Sequence, residues 1–520
     1  MHVAFVFAPR LLNHSVGAQQ HRRRPVCAAS PPPQTEAPLP TPVAIPVYRR
    51  LPLIGFFIDV FTRNLKVREL SPRYGPVYKS DVLGFPVTII SDLDAIKACY
   101  KDSEVFRSGG AFPFSLSTLF GDKALFILDG KEHATKRKPV MPAFSPQLFP
   151  LYFSSIQEDA RSFWRKVSQQ VERDGTSKLQ NAFKEHYLGI IIRLTTGGQY
   201  ASSEASAEAQ FLRVRDLLLA VAGGMITFPF GPVWWKALRA RDELIDILGG
   251  LVRDRLSTRK DTIEALREVD ADRIAAKARG ELRAGSLDLL TVLVSTTSLP
   301  TDAGAELDET TLRELCELVL LLWFAGYSTQ ASASSCCLME LGFNADIHGR
   351  LRDEQDAIVR ARDGDLDMTL EQVNKEMPLL DSYINEILRL YPPAPVLFRK
   401  TAKATTVCGH AIAVGTIVGL DAWGGQRNAA YYAEPETLKV ERFVAGGEAP
   451  GVVSFGGVGG AHFCLGAALG RVGMKATVGT MVREFDIRVD ERQDREYVSV
   501  PEMTPKSGVE VRMCRRREGI

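Results

Sequence analysis

One stretch constrains this chain more than any other: Phe455-Gly456-Gly457-Val458-Gly459-Gly460-Ala461-His462-Phe463-Cys464-Leu465-Gly466. Glycines crowd the approach to a single cysteine, and Ala467-Ala468-Leu469-Gly470-Arg471-Val472 then reads as a helix. A backbone without Cβ atoms can turn tightly and lie close against a flat ligand. A cysteine just ahead of a helix N-terminus meets partial positive charge, which lowers its pKa and favours the thiolate. That environment suits a sulphur facing something flat and metallic. A glycine-rich turn leading into a core helix, with an inert buried cysteine, has the same pattern. Partners elsewhere in the chain must decide between the two.

With 520 residues, 45% of them hydrophobic, the chain has ample apolar surface for a large core. Length alone gives a prior of about three domains. A net charge of +2 gives no reason to expect nucleic acid. The cysteines, Cys27, Cys99, Cys316, Cys336, Cys337, Cys408, Cys464 and Cys514, are scattered, with no CxxC pair and no histidine spacing suited to zinc. A reducing compartment fits them better than a disulfide framework. No repeat of fixed period is visible.

From Met1 to Thr35 there is no acidic residue, while Arg10, Arg22, Arg23 and Arg24 are basic. Arginine-bearing, acid-free leaders are the profile of an organelle transit peptide. Val26-Cys27-Ala28-Ala29 looks like a plastid-type processing site, and Ser30 to Pro46 is a proline-rich linker. Residues 1–46 are therefore set apart from 47–520, with a plastid as the expected destination and the mitochondrion second; a disordered tail without an address is the competing reading. Met1 to Leu12 is interrupted by Arg10 and falls short of the ~20 apolar residues that a membrane span needs.

Leu51-Pro52-Leu53-Ile54-Gly55 is a short apolar opening turn. The β-branched runs Val77–Val82 and Pro86–Ile90 around Gly84 predict a hairpin, and Asp92 opens a helix. Phe112, Phe114, Leu116 and Leu119 form an apolar, partly irregular stretch. In Asp129 to Lys138, His133 and Arg137 are four apart and share one helix face. Leu151 to Val294 is mostly helical by pattern, broken at Gly223-Gly224 and at the aromatic segment Phe228 to Trp235. Aromatic clusters of that kind suit a membrane interface, or equally a core.

Thr311 to Leu341 reads as a long helix, with Leu315, Leu318, Val319 and Leu322 at helical spacing. It contains Gly326, which costs a helix interior about 1 kcal/mol against alanine and so needs another justification. Thr329 can bond back to the Ala325 carbonyl and bend the helix. Glu386 and Arg389, three apart, can pair on a helix that Pro392-Pro393 ends. After them come Arg399, a strand-rich stretch from Val407 to Leu420, Val440-Glu441-Arg442-Phe443, and Met503 to Gly508.

Taken in order, these motifs resemble those of the cytochrome P-450 superfamily across residues 50 to 515. The resemblance implies a mainly α fold with small antiparallel β-sheets (α+β) and a single large heme domain at 47–520. It implies a b-type heme whose iron is held by Cys464, framed by Phe455 and Gly466. It assigns the heme propionates to His133, Arg137, Arg399 and His462, and a bracing cluster to Glu386, Arg389 and Arg442. Oxygen handling falls to the groove at Gly326, Ser328 and Thr329, where Ser328 stands at the position of the usual acid. Phe112, Phe114, Leu116, Phe324, Val396, Leu397 and Met503 match substrate-contacting positions. Two departures are plain: Phe455 precedes Cys464 by nine residues where the family has seven, and the usual His-Arg-Asp-Pro is degraded to Gln426-Arg427-Asn428-Ala429.

The activity so implied is monooxygenation. O₂ and two electrons from an external ferredoxin or reductase hydroxylate a hydrophobic substrate, and the N-terminal half looks closest to the retinoid- and sterol-type hydroxylases. The donor would dock near the cysteine, with Lys131, Lys136 and Lys138 in a basic patch, and segment 228–235 would touch a membrane peripherally. A heme-thiolate isomerase or dehydratase needing no reductant, and a non-enzymatic heme sensor, are the other readings. A nucleotide-binding enzyme is excluded, because no G-K-[ST] follows the glycines and His462 spoils G-x-G-x-x-G.

Overall fold

The computed structural model describes residues 44–516 except 49–58, 60–61, 66, 83, 198–203, 226–230, 258–287, 297–307, 445–448 and 450. Residues 1–43 of the expected 1–46 leader, the opening turn at Leu51 to Gly55 and Phe228 to Phe230 lie outside the described residues.

The helices that build the site are α1 (Leu93–Lys101), α2 (Phe114–Phe120), α3 (Gly130–Arg137), α4 (Phe149–Asp174), α5 (Leu179–Thr196), α6 (Glu204–Met225), α7 (Pro232–Ser257), α8 (Glu309–Phe343), α9 (Pro378–Leu390) and α10 (Ala467–Glu484). The expected hairpin forms as β1 (Val77–Val82) and β2 (Phe85–Ile90), with Gly84 at φ +82°. They join β3 (Phe106–Arg107), β4 (Val396–Thr401) and β5 (Ile417–Asp421) in a sheet of order β1-β2-β5-β4-β3. Its pairs are antiparallel except β2 with β5, which is parallel. A terminal hairpin pairs β6 (Tyr497–Val498) with β7 (Thr504–Pro505).

Local signals account for most of these starts and stops. Asp92 accepts the Ala95 N–H at 2.8 Å and starts α1, and Asp308 accepts the Thr311 N–H at 3.0 Å and starts α8. The 35 residues of α8 span about 52 Å at ~1.5 Å per residue. Beyond its first two turns this helix is buried on nearly every side, because α5, α7, α9 and α10 all pack against it. The largest apolar cluster surrounds it, with Trp164, Phe183, Tyr187, Trp323 and Met339 among its members. A second cluster, including Ile90, Leu93, Ile96, Val418 and Leu420, lies between the sheet and α1.

Two sequence expectations need correction. Gly223-Gly224 do not break a helix: α6 runs through them to Met225. A Cβ on Gly224 would lie 2.5 Å from the Cβ of Ala237 in α7, so the glycine serves close helix packing. The irregular stretch at Phe112 to Leu119 is a helix from Phe114 onward. No helix among the described residues is long and apolar enough to cross a membrane.

Candidate functional site

The cysteine loop folds back on itself, the Cys464 N–H donating to the Phe455 carbonyl at 2.9 Å. It then lies against the end of α1. A Cβ at Gly457, where φ is +73°, would meet the Tyr100 ring at 2.6 Å, and one at Gly460 would meet the Tyr100 carbonyl at 2.6 Å. Glycine is required at both places, by contact at one and by contact and conformation at the other. The guanidinium of Arg471, on the helix that follows, sits 5.1 Å over the Phe455 ring.

Cys464 is exposed, as are Val458, Gly459 and Ala461 on the same loop. Dense protein around the rest of the thiol raises its pKa by burial, outweighing the Gly466 N–H and the Arg137 charge that pull it down. The helix N-terminus, three residues further on at Ala467, does not by itself make a thiolate here. A metal cation would, since coordination deprotonates a thiol outright.

The expected basic residues gather at this loop. His133 on α3 is buried, its ring 4.1 Å from that of His462, and its Nε2 has no hydrogen-bond partner among the described residues. Burial first, then the neighbouring His462 and Arg137, pushes its pKa down to about 4. Arg137 donates to the carbonyl of Phe463, the residue before the cysteine. Arg399 on β4 is 5% exposed; its guanidinium donates to the Phe398 carbonyl at 2.7 Å and lies 5.6 Å over the Tyr100 ring.

The groove residues on α8 part company. Thr329 donates to the Ala325 carbonyl at 2.8 Å, as its type and place predict. Ala325 is exposed, and Phe324, Gly326, Thr329 and Gln330 around it are partly so, whereas Tyr327 and Ser328 are buried. Ser328 is buried, with its hydroxyl turned back to the Phe324 carbonyl at 3.4 Å. Gly326 has a packing reason: a Cβ there would lie 3.2 Å from Cγ1 of Ile191 in α5.

Glu386 and Arg389 are both fully buried and paired through two bonds of 2.7 and 2.8 Å. Arg442 adds a bond of 3.0 Å to the same carboxylate, and the Lys439 N–H one of 2.9 Å. Arg389 also donates to the carbonyls of Gln426 and Pro435. Gln426, dismissed by the sequence reading as part of a degraded motif, is fully buried. It donates to the Leu388 and Arg389 carbonyls at 3.2 Å and accepts the Val453 N–H at 2.6 Å. It therefore ties the end of α9 to the chain two residues ahead of Phe455.

The substrate candidates divide in the same way. Phe112 meets Phe126 edge-on at 5.3 Å and Phe398 at 6.4 Å. Phe126 continues to Phe120 at 6.3 Å, which meets Phe324 at 5.1 Å, one residue from the open Ala325. Phe126 and Phe398 carried no local signal that set them apart from core residues. Leu116 and Leu397 pack against the main and sheet-side cores respectively. Val396 and Met503 are buried together in a third cluster, with the Met503 carbonyl accepting from Ser332 at 2.5 Å. Phe114 is 53% exposed, its ring 5.7 Å from that of Trp234.

An exposed cysteine sulphur on a glycine loop, a buried histidine nitrogen without a partner and a buried arginine converge here, which is the donor set of a heme-thiolate site. Comparison with known proteins agrees. The family description "Cytochrome P450" matches residues 45–511. Cytochrome P450 120 of Synechocystis is 25% identical over 89% of this chain and 95% of its own length. Cytochrome P450 6a2 of Drosophila melanogaster is 27% identical over 84% and 87%. Among solved structures, retinoic acid bound cyanobacterial CYP120A1 matches with a TM-score of 0.74 at 24% identity, over 92% of this chain and all of that one. The chain belongs to the cytochrome P450 family. It is a b-type heme monooxygenase that takes a hydrophobic substrate, O₂ and electrons from a transfer partner.

Proposed function

We propose that this monooxygenase hydroxylates an elongated isoprenoid-type substrate of the retinoid, carotenoid or sterol kind. The observation that carries this reading is the run of phenylalanines from Phe398 through Phe112, Phe126 and Phe120 to Phe324, which ends beside Ala325 and Thr329. Stacked and edge-on rings favour a long, flat, unsaturated ligand over a compact polar one. The retinoic acid bound to the cyanobacterial structural neighbour is consistent with it.

In this reading Cys464 would hold the iron, and His133, His462, Arg137 and Arg399 would hold the propionates. When bound, the heme supplies the redox chemistry that cleaves dioxygen, with the thiolate ligand donating electron density to that cleavage. Thr329 Oγ1 holds a proton beside the open face of α8. Its bond to the Ala325 carbonyl fixes the hydroxyl while leaving its oxygen free to accept. Ser328, turned to Phe324, is not placed to relay protons as the usual acid would. Proton delivery then depends on Thr329 and water, and reductant is partly wasted as peroxide.

The product profile of purified protein with a reductase system, offered retinoids, carotenoids, sterols and fatty acids, tests the substrate. Oxidised isoprenoids are expected; product from fatty acids alone would overturn the reading. Thr329→Ala should lower product formed per reductant consumed. If it does not, Thr329 takes no part in oxygen activation. For the donor, a small acidic ferredoxin suits a plastid protein; Lys131 and Lys138 are exposed on and just after α3, whose His133 and Arg137 meet the loop, whereas Lys136 is paired with Glu314 at 3.0 Å. Residues 1–46 fused to a fluorescent reporter should enter plastids; a cytosolic reporter would remove the basis for that destination.

A further inference from the structure

Asp129 occupies the N-cap position of α3, yet its side chain makes no capping bond to that helix. Both carboxylate oxygens turn elsewhere. Oδ1 accepts the Ser108 N–H at 2.8 Å and Oδ2 the Gly109 N–H at 2.7 Å. Oδ1 also lies 3.5 Å from Nε2 of His462, two residues from the cysteine. Gly109 is fitted to this contact, since a Cβ there would stand 2.7 Å from Asp129 Oδ2. Burial raises the pKa of this carboxyl, but His462 and the two N–H groups outweigh it and hold it below the usual carboxylate range. An aspartate at a helix start normally serves that helix; this one joins three separated pieces of chain.

Those pieces are functionally distinct. Ser108-Gly109 is the turn three residues ahead of Phe112, which joins Phe398 to Phe126 in the phenylalanine run. His462 belongs to the cysteine loop and stacks on His133. By taking one ring nitrogen of His462, a carboxylate determines which nitrogen remains for any other partner and holds the ring in one orientation. We propose that Asp129 is a positioning residue: it orients His462 towards the heme and ties the iron-ligand loop to the turn that carries the substrate wall. This rests on the heme-thiolate reading of Cys464. It adds a link between substrate wall and iron loop that neither motif contains.

The test uses heme-loaded protein and reads quantities other than turnover. Removing a fixed anion near the loop favours the ferrous state, which carries one electron more, so Asp129→Asn should shift the heme reduction potential to more positive values. Losing bonds to a charged acceptor should speed amide exchange at Ser108 and Gly109 in Asp129→Ala by about tenfold or more. An unchanged potential together with unchanged exchange would overturn the proposal. Should Asp129→Asn fail to retain heme, Asp129→Glu keeps the charge while displacing it. Its potential should stay near that of the parent while exchange at the two amides rises, and parental exchange rates there would also overturn the proposal. In every case the red-shifted band with carbon monoxide reports on Cys464 separately. Its absence from the parent protein would defeat the heme-thiolate reading, whereas failure of the Asp129 proposal leaves that band in place.

Discussion

At Cys464, burial and metal binding act in opposite directions on one proton. Burial raises the thiol's pKa, so the sulphur of heme-free protein should alkylate slowly near neutral pH, and heme should hold it as thiolate. Reduced holoprotein with carbon monoxide should therefore show the red-shifted Soret band of thiolate ligation, and Cys464→Ala should lose it; an unchanged band in that variant would place the ligand elsewhere. His186 shows the same force away from the site. It is stacked on Phe163 at 4.5 Å, its Nε2 is 3.0 Å from the Thr477 hydroxyl, and burial pushes its pKa from 6.5 to about 3. Between those values the unfolded chain binds a proton that the folded chain refuses. Stability is thus fully present above pH 6.5 and falls on acidification by up to about 1.4 kcal/mol per pH unit down to about pH 3. His186→Gln should flatten the acid side of a plot of melting temperature against pH, and an identical slope in parent and variant would refute this.

At the scale of elements, the buried Glu386–Arg389–Arg442 cluster and the α5–α8 contact carry separable predictions. Glu386→Ala leaves Arg389 charged and buried without its carboxylate, which costs about 3–5 kcal/mol. A loss of that size should appear as poor heme retention and a clear drop in melting temperature; parental values for both would show that the cluster is not needed to brace the loop. At Gly326, alanine would gain about 1 kcal/mol of helix propensity. It would also press on Ile191 at 3.2 Å, a β-branched side chain that a helix leaves almost no rotamer freedom. The expected result is a net loss of stability in Gly326→Ala, and a smaller loss from the same change when Ile191→Ala has already opened the space. Additive effects of the two changes in a double-mutant cycle would rule the contact out as the reason for the glycine.

At the scale of the whole molecule, five of the ten exposed large apolar residues among the described ones lie on α2, α6 and α7. Trp235 and Val233 at the start of α7, Leu212 and Leu219 on α6 and Phe114 on α2 are all exposed, and these three helices pack together. Trp234, next in line, is buried. Within the described part of the aromatic segment, Trp234 is thus core and Trp235 surface, where the sequence left the two readings level. This face should bind anionic vesicles weakly, and Trp235→Ser should reduce co-sedimentation. Equal recovery of parent and variant with vesicles would leave Trp235 without that role. On the opposite requirement, electron delivery near Cys464, turnover with a small acidic ferredoxin should fall as salt rises; a flat salt dependence would count against docking through Lys131 and Lys138.

The sequence by itself determined the class of this protein and singled out the side chains that gather at the Cys464 loop. Glycine spacing around Cys464, the four-residue step from His133 to Arg137, the three-residue step from Glu386 to Arg389 and the apolar period of α8 are local facts, and local backbone physics converts them directly into turns and helix faces. Tertiary structure decided what depended on surfaces from distant parts of the chain. It set Gly326 against Ile191, turned Ser328 away from the open face of α8, gave Gln426 a bracing place against α9 and Val453, and assembled Phe126 and Phe398 with Phe112. It also drew Asp129 off its own helix to Ser108, Gly109 and His462. A side chain's period and neighbours in sequence fix which way it points on its own element, but its partner is whatever packing brings within a few ångströms, and that is a property of the assembled core.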